Sequence, residues 1–247
     1  MVNGLYTASR SMVNIMAKQD IHAQNLANST TTGFKLSRLV NKTEVTIGRN
    51  DKQQLHQDEN QVVADRVLSF LQGPMLKTNN PLDFAMTAKG FFTIEAGEDG
   101  LPRYTRNGSF AMNTYGELVT LTGKRVLDDN GLPIQLAGEG AVQIMEDGSL
   151  FKEGKRVANL GVADFEHENR LVPGADGLYT NPDPSVNPPR GPEKVGIRQG
   201  FVEGSNVDPI ATMVNMISEF RNYEANSRII QAIDSTLGKA VNEVGRV

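Results

Sequence analysis

Residues 208–234 read Asp-Pro-Ile-Ala-Thr-Met-Val-Asn-Met-Ile-Ser-Glu-Phe-Arg-Asn-Tyr-Glu-Ala-Asn-Ser-Arg-Ile-Ile-Gln-Ala-Ile-Asp, and this stretch decides the fold. Asp208 is suited to cap a helix, and Pro209 fits the first helical position because its missing N–H costs nothing there. Apolar residues then recur three or four positions apart: Met213, Ile217, Phe220, Tyr223, Ile230, Ile233, Leu237, Val241 and Val244. This pattern predicts one helix of about 36 residues, roughly 54 Å long.

A second helix is predicted at the start of the chain. Its stripe has alternating spacings of three and four: Leu5, Ala8, Met12, Ile15, Gln19, His22 and Leu26. Neither stripe is wide enough to stabilise a lone helix in water. We therefore expect the two terminal helices to pair in a coiled-coil-like manner, which makes the intervening chain an insert.

The first helix has unusually few charges. Residues 1–34 contain only Arg10, Lys18 and Asp20 as charged side chains, and Asn and Gln take up much of the polar surface. Neutral amides are less costly to bury in a protein contact than ions. We therefore expect the outer face of this helix to meet another protein.

The insert is predicted to be all-β, which makes the fold class α+β. Residues 75–200 contain four turn pairs that favour positive φ, placed between short apolar runs: Asp99-Gly100, Asn107-Gly108, Asn130-Gly131 and Asp147-Gly148. The predicted organisation is a helical domain of residues 1–35 and 201–247, an extended connector of residues 36–74 and a β-rich domain of residues 75–200. Within the connector, short apolar pieces lie at Val45–Ile47 and Val62–Leu71.

Several motifs carry a family resemblance. The segment from Asn25 to Lys35 reads NLANSTTTGFK, residues 104–110 read YTRNGSF, and residues 200–207 read GFVEGSNV. These motifs occur in order along the whole chain, which resembles the bacterial flagellar rod and hook proteins. The motif residues singled out are Asn25, Leu26, Ala27, Asn28, Thr31, Thr32, Gly33, Phe34, Gly204, Ser205 and Asn206.

The resemblance implies a structural subunit of the flagellar basal-body rod that polymerises through its terminal helices. Its expected partners are further copies, other rod and hook axial proteins and the flagellar export apparatus. Its expected location is the rod within the periplasm, reached without a cleaved signal peptide. A proximal rod protein is favoured, with a distal rod or hook-type protein as the alternative.

The residues predicted to form the assembly interface lie on the two helices: Leu5, Met12, Ile15, Leu26, Met213, Ile217, Phe220, Tyr223 and Ile230. We also expect both helices to be largely disordered before assembly, because their outer faces then lack a partner.

Other functions find less support in the sequence. The chain has no cysteine, and His22, His56 and His167 fall in separate regions, so no metal or other cofactor is predicted. A net charge of −4 with scattered basic residues argues against nucleic acid. A β-domain binding or adhesion module remains an alternative. An enzyme using Asp83 or Glu166 would need converging polar groups, which the sequence does not offer, and no small-molecule substrate is expected.

Overall fold

The structure is a computed structural model that describes residues 2–43, 62–136, 138 and 140–244. The chain divides into two compact units. The first, here called the terminal unit, contains Met1–Ala27, Ser37–Ser69 and Asp208–Val247. The second, called the β unit, contains Asn28–Leu36 and Phe70–Val207. No helix in the described ranges is both long and apolar enough to cross a membrane.

The terminal unit contains two helices and a hairpin. They are α1 (Val2–Ala27), β1 (Ser37–Thr43), β2 (Val62–Leu68) and α2 (Pro209–Val244). As predicted, α2 is 36 residues long, and Asp208 Oδ1 caps it by accepting hydrogen bonds from the backbone N–H groups of Ile210 (2.9 Å) and Ala211 (3.1 Å). β1 and β2 form an antiparallel ladder from Ser37↔Leu68 to Thr43↔Val62. This hairpin lies within the predicted connector, whose apolar piece Val45–Ile47 falls outside the described residues.

The two helices lie antiparallel. Near one end His22 Nε2 is 3.4 Å from Glu219 Oε1, and farther along Asn226 Nδ2 donates to Ser11 Oγ at 3.3 Å. The α1 numbers therefore rise as the α2 numbers fall.

The expected coiled-coil-like packing is wrong. The α2 positions that meet α1 include Glu219 and Asn226, so the contact between the helices is partly polar. Met213, Ile217 and Phe220, which were assigned to the apolar stripe, are 43%, 56% and 54% exposed. The physical reason is that α2 has more than one apolar face, and these three residues lie on a face that α1 does not cover. The α+β composition, with terminal helices flanking a mostly β region, stands.

The β unit is built from short antiparallel strands. They are β3 (Met75–Lys77), β4 (Phe84–Met86), β5 (Phe91–Ile94), β6 (Arg103–Thr105), β7 (Phe110–Met112), β8 (Leu118–Thr120), β9 (Val142–Ile144), β10 (Ser149–Lys152), β11 (Lys155–Asn159), β12 (Val162–Ala163), β13 (Val172–Pro173), β14 (Leu178–Thr180), β15 (Ile197–Gln199) and β16 (Phe201–Glu203). Their order is β12-β5-β6-β14-β13 in one sheet and β11-β10-β9 in another, with the pairs β15-β4, β16-β3 and β7-β8.

An aliphatic and aromatic core holds these strands together. Phe84, Phe92, Ile94, Leu118 and Leu150 are among its buried members. A neighbouring aromatic cluster contains Phe70, Phe91 and Tyr179, whose rings pack edge to face. The core therefore draws on residues from most of the β unit.

In one of the predicted turns, Asn107-Gly108, glycine is required for a reason other than positive φ. Gly100, Gly131 and Gly148 have the expected positive φ, but Gly108 does not. A Cβ on Gly108 would lie 1.6 Å from the carbonyl oxygen of Phe84, whose own N–H donates to the Gly108 carbonyl at 2.9 Å. Glycine is needed there because two backbones approach closely.

Candidate functional site

A stripe of exposed apolar side chains follows α2. It consists of Ile210, Met213, Val214, Ile217 and Phe220, and we call it the α2 stripe. At 100° per residue these positions fall within a sector of about 120°. Glu219 and Asn226, which contact α1, lie on roughly the opposite face. The α2 stripe is therefore available to a partner outside the terminal unit.

The first helix also has two different faces. Ala8 and Ile15 are buried on the side that faces the rest of the terminal unit. Tyr6, Val13 and Met16 are 66%, 68% and 52% exposed on the other side. Both helices thus leave large apolar side chains in solvent.

The predicted interface residues separate into two groups. Leu5, Met12, Ile15, Leu26, Tyr223 and Ile230 are buried or half-buried on the inner sides of the helices. Met213, Ile217 and Phe220 lie together in the α2 stripe.

The end of α1 is fastened to β1 by one motif residue. Asn25 is fully buried, its Nδ2 donates to the Ser37 carbonyl (2.8 Å), and its Oδ1 accepts from the Ser37 N–H (3.0 Å). The side-chain amide thereby satisfies both backbone groups at the start of β1, as a neighbouring strand would. Leu26 and Asn28 beside it are half-buried, and Ala27 is exposed.

A buried charge cluster lies in the β unit. It consists of Lys35, Arg106 and Glu203, which are 1%, 4% and 1% exposed. Lys35 Nζ donates to Glu203 Oε1 at 2.6 Å and to the Leu71 carbonyl at 2.8 Å, and the Gly73 N–H donates to the same carboxylate oxygen at 2.9 Å. Arg106 Nη1 is 3.5 Å from Glu203 Oε2. One carboxylate thus holds three chain segments together.

The electrostatics of this cluster reflect its burial. Burial lowers the pKa of Lys35 and of Arg106, while the negative charge of Glu203 acts in the opposite direction on both. Arg106 also lies 5.3 Å from the centre of the Phe91 ring and donates to the Ala88 carbonyl. The cluster is stabilised only while its opposite charges remain paired.

Further hydrogen bonds join the same motif segments. Thr32 Oγ1 donates to Asn107 Oδ1 (2.9 Å), and the Leu36 N–H donates to Asn206 Oδ1 (2.7 Å). The Gly33 N–H donates to the Glu203 carbonyl. A Cβ on Gly33, whose φ is +71°, would lie 2.4 Å from the Asn107 nitrogen.

The remaining motif residues surround these bonds. Thr31 is exposed, Phe34 is half-buried, and Gly204 and Ser205 are buried. The three motif segments, far apart in sequence, therefore converge on one polar junction. Lys35, Arg106, Asn107 and Glu203 were not among the predicted site residues, although each lies inside a motif.

The residues considered for catalysis lie apart from any reactive grouping. Asp83 is buried and accepts a hydrogen bond from Asn80, whereas Glu166 pairs with Arg190 at 2.7 Å on the surface. Within the described ranges no group of three His, Cys, Asp or Glu side chains could hold a metal ion.

Comparison with known proteins identifies the family. Residues 198–243 match the family model described as "Flagellar basal body rod FlgEFG protein C-terminal", and residues 85–152 match "Flagellar hook protein FlgE/F/G D1 domain". The flagellar basal-body rod protein FlgF of Caulobacter vibrioides is 32% identical over 100% of both chains. FlgF of Rhizobium meliloti is 32% identical over 99% of both, and FlgG of Bacillus subtilis is 29% identical over 98% of this chain and 99% of its own.

The chain belongs to the family of flagellar basal-body rod proteins. It is accordingly a structural subunit of the rod and not an enzyme, and it assembles with other flagellar rod and hook components. The two FlgF proteins are each 32% identical to this chain and the Bacillus FlgG protein is 29% identical, so the resemblance favours FlgF over FlgG.

Proposed function

We propose that the terminal unit is the assembly surface of this rod subunit, and that the α2 stripe becomes buried against neighbouring axial subunits. The observation that carries the proposal is the position of five exposed apolar side chains on one face of α2. Soluble proteins seldom leave contiguous apolar surface exposed unless it is used for binding. Burying a fully exposed side chain of this kind contributes about 1.5–3 kcal/mol, and each of these five contributes correspondingly less because only 43–71% of it is exposed.

The manner of assembly follows from the geometry of a filament. Subunits that meet through two different surfaces, in a way that does not close into a ring, form an open helical polymer. Many such contacts in parallel give a stiff tube able to transmit torque. The β unit, tied together by the buried charge cluster, adds a rigid body to each subunit of that tube.

The same proposal includes the position of the subunit within the rod. We place the chain in the proximal part of the rod, within the periplasm, and propose that it reaches this position through the flagellar export apparatus. The full-length similarity to FlgF proteins supports the choice of a rod position over a hook position. We further propose that α1 and α2 are largely disordered until neighbours cover their outer faces.

A charge placed in the α2 stripe tests the assembly surface. Ile217→Lys introduces a good helix former with a charge that cannot be buried cheaply against an apolar neighbour. Leu121→Lys is the matched control, because Leu121 is 71% exposed in the β unit. Each variant replaces the native chain in its bacterium, and mass spectrometry measures its amount relative to the hook protein in purified hook–basal bodies.

The proposal predicts that Ile217→Lys is strongly depleted from the basal bodies and reduces swimming, whereas Leu121→Lys is incorporated normally. Normal incorporation of Ile217→Lys would exclude the α2 stripe as an assembly surface. Circular dichroism tests the disorder of the helices: a monomer with full helical signal and cooperative melting of its ends would contradict that part.

A further inference from the structure

A polar groove lies within the terminal unit, between α1, β1 and the first half of α2. Its volume is about 400 Å³, and its lining includes Lys18, His22, Arg38, Ser218, Glu219 and Asn222. The carboxylate of the groove, Glu219, already contacts His22 at 3.4 Å. Lys18 and Arg38 have no anionic partner among the side chains that the structure describes. The groove therefore contains the cations Lys18 and Arg38 and the carboxylate of Glu219 beside hydroxyl and amide groups, so its lysine and arginine charges outnumber its carboxylates.

The opposite face of α1 presents a single carboxylate. Asp20 is the only acidic residue of α1, and its side chain is exposed. Two residues along a helix correspond to a rotation of about 200°, so Asp20 points away from Lys18 at almost the same height along the axis. The positions one turn before and after Asp20 are Met16, Ala17, Ala23 and Gln24, which offer no cation. An Asp inside a solvated helix without such a partner gains nothing from its helix.

We propose that Asp20 of one copy of this chain enters the polar groove of the next copy and pairs with Lys18 and Arg38. The inference rests on the proposed assembly through the terminal unit. It adds a specific lateral contact between copies that lie side by side at the same level of the rod. Complementary charges on opposite faces of one helix make this contact heterologous, so each copy can extend the assembly on both sides. The contact fixes the register of neighbouring copies more than it adds affinity.

A charge swap tests this pairing. Asp20→Lys puts like charges together, and Lys18→Glu combined with Arg38→Glu does the same from the other side. Each should reduce the incorporated copies at least roughly tenfold, because like charges brought together at an interface are strongly unfavourable. The triple variant restores opposite charges and should recover incorporation. Glu98→Lys, a charge reversal at an exposed acid of the β unit, is the control and should be incorporated normally.

A cross-link provides an independent reading. The chain has no cysteine, so Asp20→Cys with Arg38→Cys introduces the only two thiols. In isolated basal bodies the pair should form disulfide-linked dimers and higher species on a non-reducing gel, and neither single variant should form the ladder.

The results distinguish a failure of the Asp20 pairing from a failure of the proposed function. A double-cysteine chain that is incorporated without cross-linking, or a triple charge variant that is not rescued, would overturn the pairing and leave the rod assignment intact. A native chain absent from basal bodies would instead remove the proposed function.

Discussion

Removing the negative charge from the buried charge cluster should strongly destabilise the β unit. In Glu203→Gln the side chain keeps its size, but Lys35 and Arg106 remain buried without a counter-charge. Breaking a buried ion pair by removing one partner typically costs about 3–5 kcal/mol. For a unit of this size, such a loss lowers the melting temperature by roughly 6–20 °C. We therefore expect the β unit of Glu203→Gln to melt that much earlier than in the native chain.

Differential scanning calorimetry on the purified chain measures this shift, and a surface pair supplies the control. Arg125 Nε lies 2.7 Å from Glu95 Oε2, but the two side chains are 47% and 27% exposed. Glu95→Gln should therefore cost less than about 1 kcal/mol. Lys35→Met added to Glu203→Gln should recover part of the loss, because one uncompensated cation is removed. A loss below about 1 kcal/mol for Glu203→Gln would refute the claim that this carboxylate holds the three segments together.

Three smaller predictions concern other contacts. Gly33→Ala should destabilise the β unit by at least about 1 kcal/mol in urea unfolding, because its φ is +71° and the added carbon would meet the Asn107 backbone; an unchanged midpoint would contradict this. In subunits assembled into basal bodies, where α2 is expected to be fully formed, Asp208→Ala should cost about 0.5–2 kcal/mol and speed hydrogen exchange in the first turn of α2; unchanged exchange there would show that the cap is dispensable. Burial opposes ionisation of Glu95, but hydrogen bonds from Arg125 outweigh it and lower the pKa of Glu95. The stability contributed by this carboxylate is thus present above its ordinary pKa of 4.5 and is lost as the pH falls through its lower pKa in the folded chain. We therefore expect the free energies of unfolding of the native chain and of Glu95→Gln to differ at neutral pH and to become equal on acidification; a difference that persists at low pH would contradict this.

The local features of the fold could be predicted from sequence. Asp208 and Pro209 mark the start of α2 because capping depends only on adjacent residues. The end of α1 at Ala27 follows from the poor helix formers that come after it. Glycine turns between apolar runs likewise indicated short antiparallel strands.

The partner of each apolar face could not be predicted. A spacing of three and four marks a helix surface as apolar, but it does not say whether a helix of the same chain or another subunit covers it. For that reason Met213, Ile217 and Phe220 were assigned both to the stripe that pairs with α1 and to the assembly interface, and the structure contradicts only the first assignment, because the three lie exposed.

The buried charge cluster could not be predicted from the sequence for a related reason. Lys35 and Glu203 are 168 residues apart, and a single sequence does not indicate which charges pair across such a separation. The only indication of their importance in the sequence was that each lies inside one of the separate motifs.

A cryo-electron microscopy map of the intact basal body would test the central claim most directly. In such a map we expect the side chains of the α2 stripe, Ile217 and Phe220 among them, to lie within about 4.5 Å of a neighbouring axial subunit. If this chain occupied the rod but met its neighbours only through the β unit, with the α2 stripe left in solvent, assembly through the terminal unit would be contradicted.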